Sequence, residues 1–143
     1  MGATAGPGND AGARGAAAMG FRPGQVVQEL GWDADADPGL RDAIMDVIDA
    51  DLVFEPLEAV DAVLMWWREE DGDLGDGLVD AMRDLSASGV IWLLTPKVGR
   101  PGYVDPSDVG EAAVTAGLVL ANPVGVSPQW QAQKVVRPKT GRR

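Results

Sequence analysis

The sequence predicts a small three-layer α/β fold, a mostly parallel sheet closed by a C-terminal antiparallel hairpin, and three observations carry that prediction. Val60–Trp67 and Val90–Thr95 are nearly continuous apolar runs, the pattern of strands buried on both sheet faces. Between them Leu74, Leu78, Ala81, Met82 and Leu85 share one helical face, so strand, helix and strand follow at the spacing of a parallel crossover. Near the C-terminus, Leu118–Val124 and Ala132–Val136 read as strands too close in sequence for a helical crossover, which makes them antiparallel.

The elements follow in order. Residues 1–20 have abundant glycine and alanine, no apolar periodicity and little bulk, which predicts a disordered tail ahead of a single domain over 21–137, with 138–143 a basic C-terminal tail. Gln25–Leu30, bounded by Gly24 and Gly31, reads as a first strand. Asp37-Pro38 supplies an N-cap and an N1 proline for a helix that places Leu40, Ile44, Val47 and Ile48 on one face. Leu52–Glu55 reads as a short strand before Pro56. Asp73 caps a helix predicted through Ala87 with its exit at Gly89, and Pro96 stops the strand after it. Asp105-Pro106 repeats the cap-plus-proline device for an alanine-rich helix ending at Gly117, and Gly125–Pro128 forms the final turn.

Composition excludes several chemistries. The 143 residues include no cysteine and no histidine, which removes disulfides, thiol switches, thiolate or imidazole zinc sites and every imidazole-based triad. Residues 1–96 hold 5 basic and 19 acidic side chains, whereas 97–143 hold 7 and 3, within a net charge of −10. An acidic body disfavours nonspecific nucleic-acid binding, while the basic C-terminal portion keeps a local contact open. With neither a signal-peptide pattern nor an apolar run near the roughly 18 residues of a membrane span, a cytoplasmic location and no membrane contact are expected.

Each candidate site has a competing structural role. Glu69–Asp76 is acidic, but a calcium loop starting at Asp71 would need different residues at Gly75, Asp76 and Met82, so a solvated helix start is expected. Asp33, Asp35 and Asp37 read as hydrated loop acids rather than an acid–base pair. Of five tryptophans, Trp66, Trp67 and Trp92 are assigned to the core, while Trp32 and Trp130, beside loops, are interface candidates. Thr95, Lys97, Arg100 and Tyr103 lie just past the carboxyl end of a parallel strand, where open α/β sheets place ligands, and form the main candidate binding surface. Lys134, Arg137 and Lys139 are candidate anion or DNA contacts.

The blocks Gly24–Asp33 (GQVVQELGWD), Trp66-Trp67-Arg68, Asp71–Leu74, Leu94–Lys97 and Gly102–Asp108 (GYVDPSD), in this order over about Phe21 to Lys139, resemble the actinobacterial domain-of-unknown-function family DUF3052. That family commonly has Trp-Ser before its last strand, where this chain has Trp130-Gln131. The resemblance supplies no catalytic residues and implies no cofactor. The element order also resembles the C-terminal half of a class I methyltransferase sheet, a likeness of fold only. Leu30–Asp35 offers one glycine, then a bulky tryptophan and two acids, instead of a glycine-rich cofactor loop.

The resulting expectation is a noncatalytic regulatory or adaptor domain without a cofactor that binds a macromolecular partner, a transcription-related protein being the favoured subclass. The alternative is a degenerate S-adenosylmethionine-type or other small-molecule binding domain, with its ligand near Thr95–Tyr103.

Overall fold

Asp37 accepts the backbone N–H of Leu40, Asp73 that of Asp76 and Asp105 that of Ser107, so each of three helices starts on an aspartate cap that satisfies an amide left open by helix geometry. The computed structural model describes the chain from Pro7 to Lys139. Its elements are α1 (Pro7–Met19), β1 (Val27–Leu30), α2 (Pro38–Ile48), β2 (Val60–Trp66), a 3-10 turn at Glu69–Asp71, α3 (Leu74–Ala81), β3 (Leu85–Pro96), α4 (Pro106–Ala116), β4 (Val119–Leu120), β5 (Val124–Gly125) and β6 (Trp130–Val136).

The sheet runs β1-β2-β3-β6-β4, with β5 also paired to β6. The first three strands are parallel, and β6 is antiparallel to β3, β4 and β5. This is the expected mixed α/β sheet. Alternation along each strand divides the core into two layers. Val27, Ala62, Leu64, Trp66, Leu94 and Ala132 pack under α1 and α2; Val63, Met65, Ile91, Leu93 and Val135 pack under α3 and α4. Trp66 is fully buried in the first layer and Trp67 packs at the edge of the second, so both serve the core, as does Trp92.

Four expectations are corrected. Residues 7–19 form a helix packed on α2, with Ala16 and Met19 buried, rather than a tail; residues 1–6 and 140–143, also assigned to tails, lie outside the described residues. The absence of bulk is what lets α1 approach so closely. A Cβ on Gly12 would stand 2.4 Å from the carbonyl oxygen of Gly39, and one on Gly15 2.1 Å from that of Val126. Helix α3 ends at Ala81 instead of Ala87, because Leu85 already pairs with Val60; the register then shifts so that Ala62 faces Val90, leaving Ser86–Gly89 in a bulge. The strand read at 52–55 is a single bridge, Val53 to Gln28. The strand read over 118–124 is broken into β4 and β5 near Pro123, which has no N–H to give the ladder.

Candidate functional site

The parallel strands deliver their carboxyl ends to one edge, where the loops after β1, β2 and β3 meet. Arg68, two residues past β2, is the centre of this edge and is 6 % exposed. Its Nε donates to Asp35 Oδ2 at 3.0 Å, its Nη2 to Asp35 Oδ1, and its Nη1 to the Gly31 carbonyl at 2.7 Å and to Asp71 Oδ2 at 3.2 Å. The guanidinium lies 5.3 Å from the centre of the Trp130 ring, and Trp130 Nε1 donates to the Asp35 carbonyl. The hydrogen bonds from Arg68 hold the Asp35 carboxyl below the ordinary aspartate range. Burial acts against the charge of Arg68, but its bonds to Asp35 and Asp71 outweigh this and keep the guanidinium protonated.

A second ion pair continues the network beneath. Glu29, fully buried in β1, receives both Nε and Nη2 of Arg41 at 2.7 Å and the Trp66 indole N–H at 2.8 Å. Trp66 meets Trp130 edge to face at 4.8 Å, and Arg41 lies over the exposed Trp32 at 5.8 Å. Bonding to Glu29 raises the pKa of Arg41. These contacts close the end of the sheet with the chain's own side chains.

The residues expected to form one binding surface are distributed differently. Thr95 is buried in β3, where its Oγ1 accepts from Gln131 Nε2 at 3.4 Å, and Trp130 is 2 % exposed; neither presents a surface to a partner, which corrects both assignments. Trp32 stays 51 % exposed. Lys97 and Arg100 lie on the loop after β3, and Tyr103, half-buried, closes its second turn by donating its N–H to the Arg100 carbonyl. Arg137 lies at the opposite end of the sheet, tied to the carbonyls of Ser86 and Leu85 in the bulge, with Lys139 just beyond it and Lys134 opposite Trp92 between the two ends. A single cationic face joining Lys97 and Arg100 to Arg137 and Lys139 is therefore not assembled.

No local sequence pattern marks Arg68, Asp35, Glu29 and Arg41 as one site. The signal was an acid, Glu29, inside a strand otherwise destined for burial, since a buried carboxylate requires a cation or several donors. The acidic run ahead of α3 behaves as expected: Asp73 caps the helix and Asp71 accepts the Arg68 N–H. With Asp108 and Glu111, two of these acids, Glu69 and Asp73, line a cleft of about 310 Å3.

A parallel sheet completed by an antiparallel strand, with helices on both faces, is the class I methyltransferase-like fold, and the solved structures agree. The pyocyanin biosynthetic protein PhzM superposes with a TM-score of 0.65 at 12% identity, over 90% of this chain and 54% of that one. CalO1, a methyltransferase in calicheamicin biosynthesis, gives 0.62 at 14% identity, over 91% and 54%. A SAM-dependent methyltransferase from Aquifex aeolicus gives 0.58 at 12% identity, over 91% and 93%. This chain thus spans about half the length of the first two. Residues 16–139 match the family model described as "Protein of unknown function (DUF3052)", and the chain belongs to that family. Uncharacterized proteins of Mycobacterium tuberculosis and Mycobacterium bovis are 45% identical over 123 residues, which is 85% of this chain and 77% of theirs.

The cofactor that such a fold implies, S-adenosylmethionine, does not fit the residues present. A Cβ on Gly31 would stand 2.2 Å from the Trp66 carbonyl oxygen, so the one glycine of the β1 loop serves internal packing. Arg68, Asp35 and Trp130 fill the adjoining space. The crevice left between Asp35, Pro96, Arg100 and Trp130 measures about 150 Å3, below the roughly 300–1,000 Å3 usual for small-molecule sites.

Proposed function

We propose that this chain is a noncatalytic binding domain of the cytoplasm, a methyltransferase-like scaffold whose ligand end is filled by its own side chains and whose output is contact with a protein partner. The observation that carries the reading is the closed network Asp35–Arg68–Trp130 at the carboxyl end of the sheet. A ligand entering there would have to break a charged fork and separate an arginine from an aromatic face. Around the filled end, exposed Trp32 and Arg100 supply the residue types that anchor protein interfaces. A protein is favoured over DNA because the body is acidic and its cations are divided between the two ends of the sheet. Among the described residues no helix is long and apolar enough to cross a membrane.

Calorimetric titration of the full chain with S-adenosylmethionine and S-adenosylhomocysteine tests this directly. The expected result is no saturable heat up to about 1 mM ligand, weaker than about −4 kcal/mol. A micromolar dissociation constant for either would overturn the noncatalytic reading in favour of a cofactor-type ligand. In parallel, lysate pull-downs compare the chain with a Trp32→Ala, Arg100→Ala variant of unchanged fold; a stoichiometric protein retained by the first and lost from the second is expected. Retention of no macromolecule would reject the binding role.

A further inference from the structure

Beside the filled end lies a groove of about 410 Å3 between α1, the start of the β3 loop and the β5–β6 turn, lined by Arg14, Gly15, Lys97, Gly125, Ser127 and Pro128 among others. We propose that this groove binds the phosphate group of a phosphomonoester. The inference rests on the reading of the chain as a binding domain and names the chemistry one of its surfaces recognises.

The first argument is charge. The chain carries 22 acidic residues, yet no carboxylate is found among the described lining residues. Arg41, Arg68 and Arg83 each pair with a carboxylate, whereas Lys97 and Arg14 form no salt bridge with the side chains described from residue 11 to 139. Both cations line one groove, and an anion held there would be attracted by each of them.

The second argument is a hydroxyl. Ser127 is 7 % exposed and lines the groove, and its Oγ receives the N–H of Trp130 at 3.1 Å and that of Gln129 at 3.4 Å. Both lone pairs are thereby used, while its own O–H proton has no acceptor among the described residues. A buried donor without an acceptor is costly, and an oxyanion in the groove would answer it.

The third is the placement of Lys97, its backbone anchored and its ammonium lying over Gly125. The Lys97 N–H donates to the Gln129 carbonyl at 2.9 Å, and Nζ lies 3.2 Å from where a Cβ on Gly125 would stand, so the bare backbone of Gly125 makes room for it. A guanidinium, an ammonium and a hydroxyl suit the three terminal oxygens and nearly double charge of a phosphomonoester better than the single charge and two oxygens of a carboxylate. The groove exceeds the phosphate itself, leaving space for the group that carries it, whether a small metabolite or a phosphorylated side chain of the partner.

The test is a 1H–15N NMR titration of the full chain with inorganic phosphate, phenyl phosphate and a phosphoserine peptide at constant ionic strength. Saturable shifts at the amides of Lys97, Gly125 and Ser127 are expected, with affinity falling about tenfold or more in an Arg14→Gln, Lys97→Gln variant. Ser127→Ala should weaken binding about threefold to tenfold; because Trp130 N–H loses an acceptor there, the two cation substitutions carry the decision. Tighter binding of the peptide than of phenyl phosphate supports the site and assigns it to a partner's side chain, and equal binding supports it and assigns it to a metabolite. Absence of saturable shifts with all three probes up to about 10 mM, or affinities unchanged in the double variant, would overturn the proposal. Either of those results leaves the S-adenosylmethionine titration, which tests the parent reading, unaffected.

Discussion

The guanidinium of Arg68 reaches Asp35, Asp71 and the Gly31 carbonyl while lying over Trp130, so one side chain joins the loops after β1 and β2 to the start of β6. Asp35 and Asp71 remain partly exposed, which reduces the cost of losing a partner below that of a fully buried pair. Arg68→Ala is expected to destabilise the chain by about 2 kcal/mol in urea unfolding, and Arg68→Lys to recover only part of this because an ammonium lacks the fork. Glu29 is the more severe case: Glu29→Gln keeps the shape but turns an amide N–H toward the donors of Arg41, at an expected cost of about 3 kcal/mol. The depressed pKa of Asp35, due first to its hydrogen bonds from Arg68, fixes a pH dependence. Its stabilising contribution is complete above the ordinary aspartate value near pH 4 and is lost as pH falls through the lower folded value. Asp35→Asn should therefore flatten the acid limb of the urea midpoint plotted against pH; an unchanged slope would show that the ion pair does not contribute.

At the scale of elements, α1 and the α3–β3 junction separate what local pattern reveals from what it hides. Gly12, Gly15, Ala16 and Met19 recur at helical spacing, yet contain too little apolar bulk to register as a hydrophobic stripe. Their value emerges only against the backbone of Gly39 and Val126, where absent side chains permit close approach. Gly15→Val is expected to cost about 1–3 kcal/mol through overpacking and to lower the thermal midpoint; an unperturbed midpoint would mean that α1 is dispensable to the fold. At the end of α3 the helical pattern continues through Leu85, but pairing with Val60 takes that residue into the sheet. Arg137, by bonding the carbonyls of Ser86 and Leu85, satisfies the bulge that this change of register creates.

Across the whole molecule, charge and topology act together. The last 47 residues are basic as a segment, but the fold divides their cations between the Lys97–Arg100 loop and the far end of the sheet at Arg137, with Lys134 between them. Among the described residues, set against an acidic body, they form no continuous stripe for a phosphate backbone. Fluorescence anisotropy with duplex DNA at about 150 mM salt is expected to show no binding; salt-sensitive association lost on reversing Lys97 and Arg100 would establish the local DNA contact that the basic C-terminal segment left open.

The sequence by itself determined the α/β class, the aspartate caps of α2, α3 and α4, the buried runs of β2 and β3, and the absence of thiol and imidazole chemistry, because each depends on residue type and on neighbours a few positions away. It also placed attention on the loop after β3. Only the tertiary structure decided that Trp130 and Thr95 turn inward, that Glu29 and Arg68 find their partners 12 and 33 residues away, and that Lys97 shares a groove with Arg14 and Ser127. Burial and ion pairing across such separations depend on which strand ends the sheet brings together, and no local period encodes that.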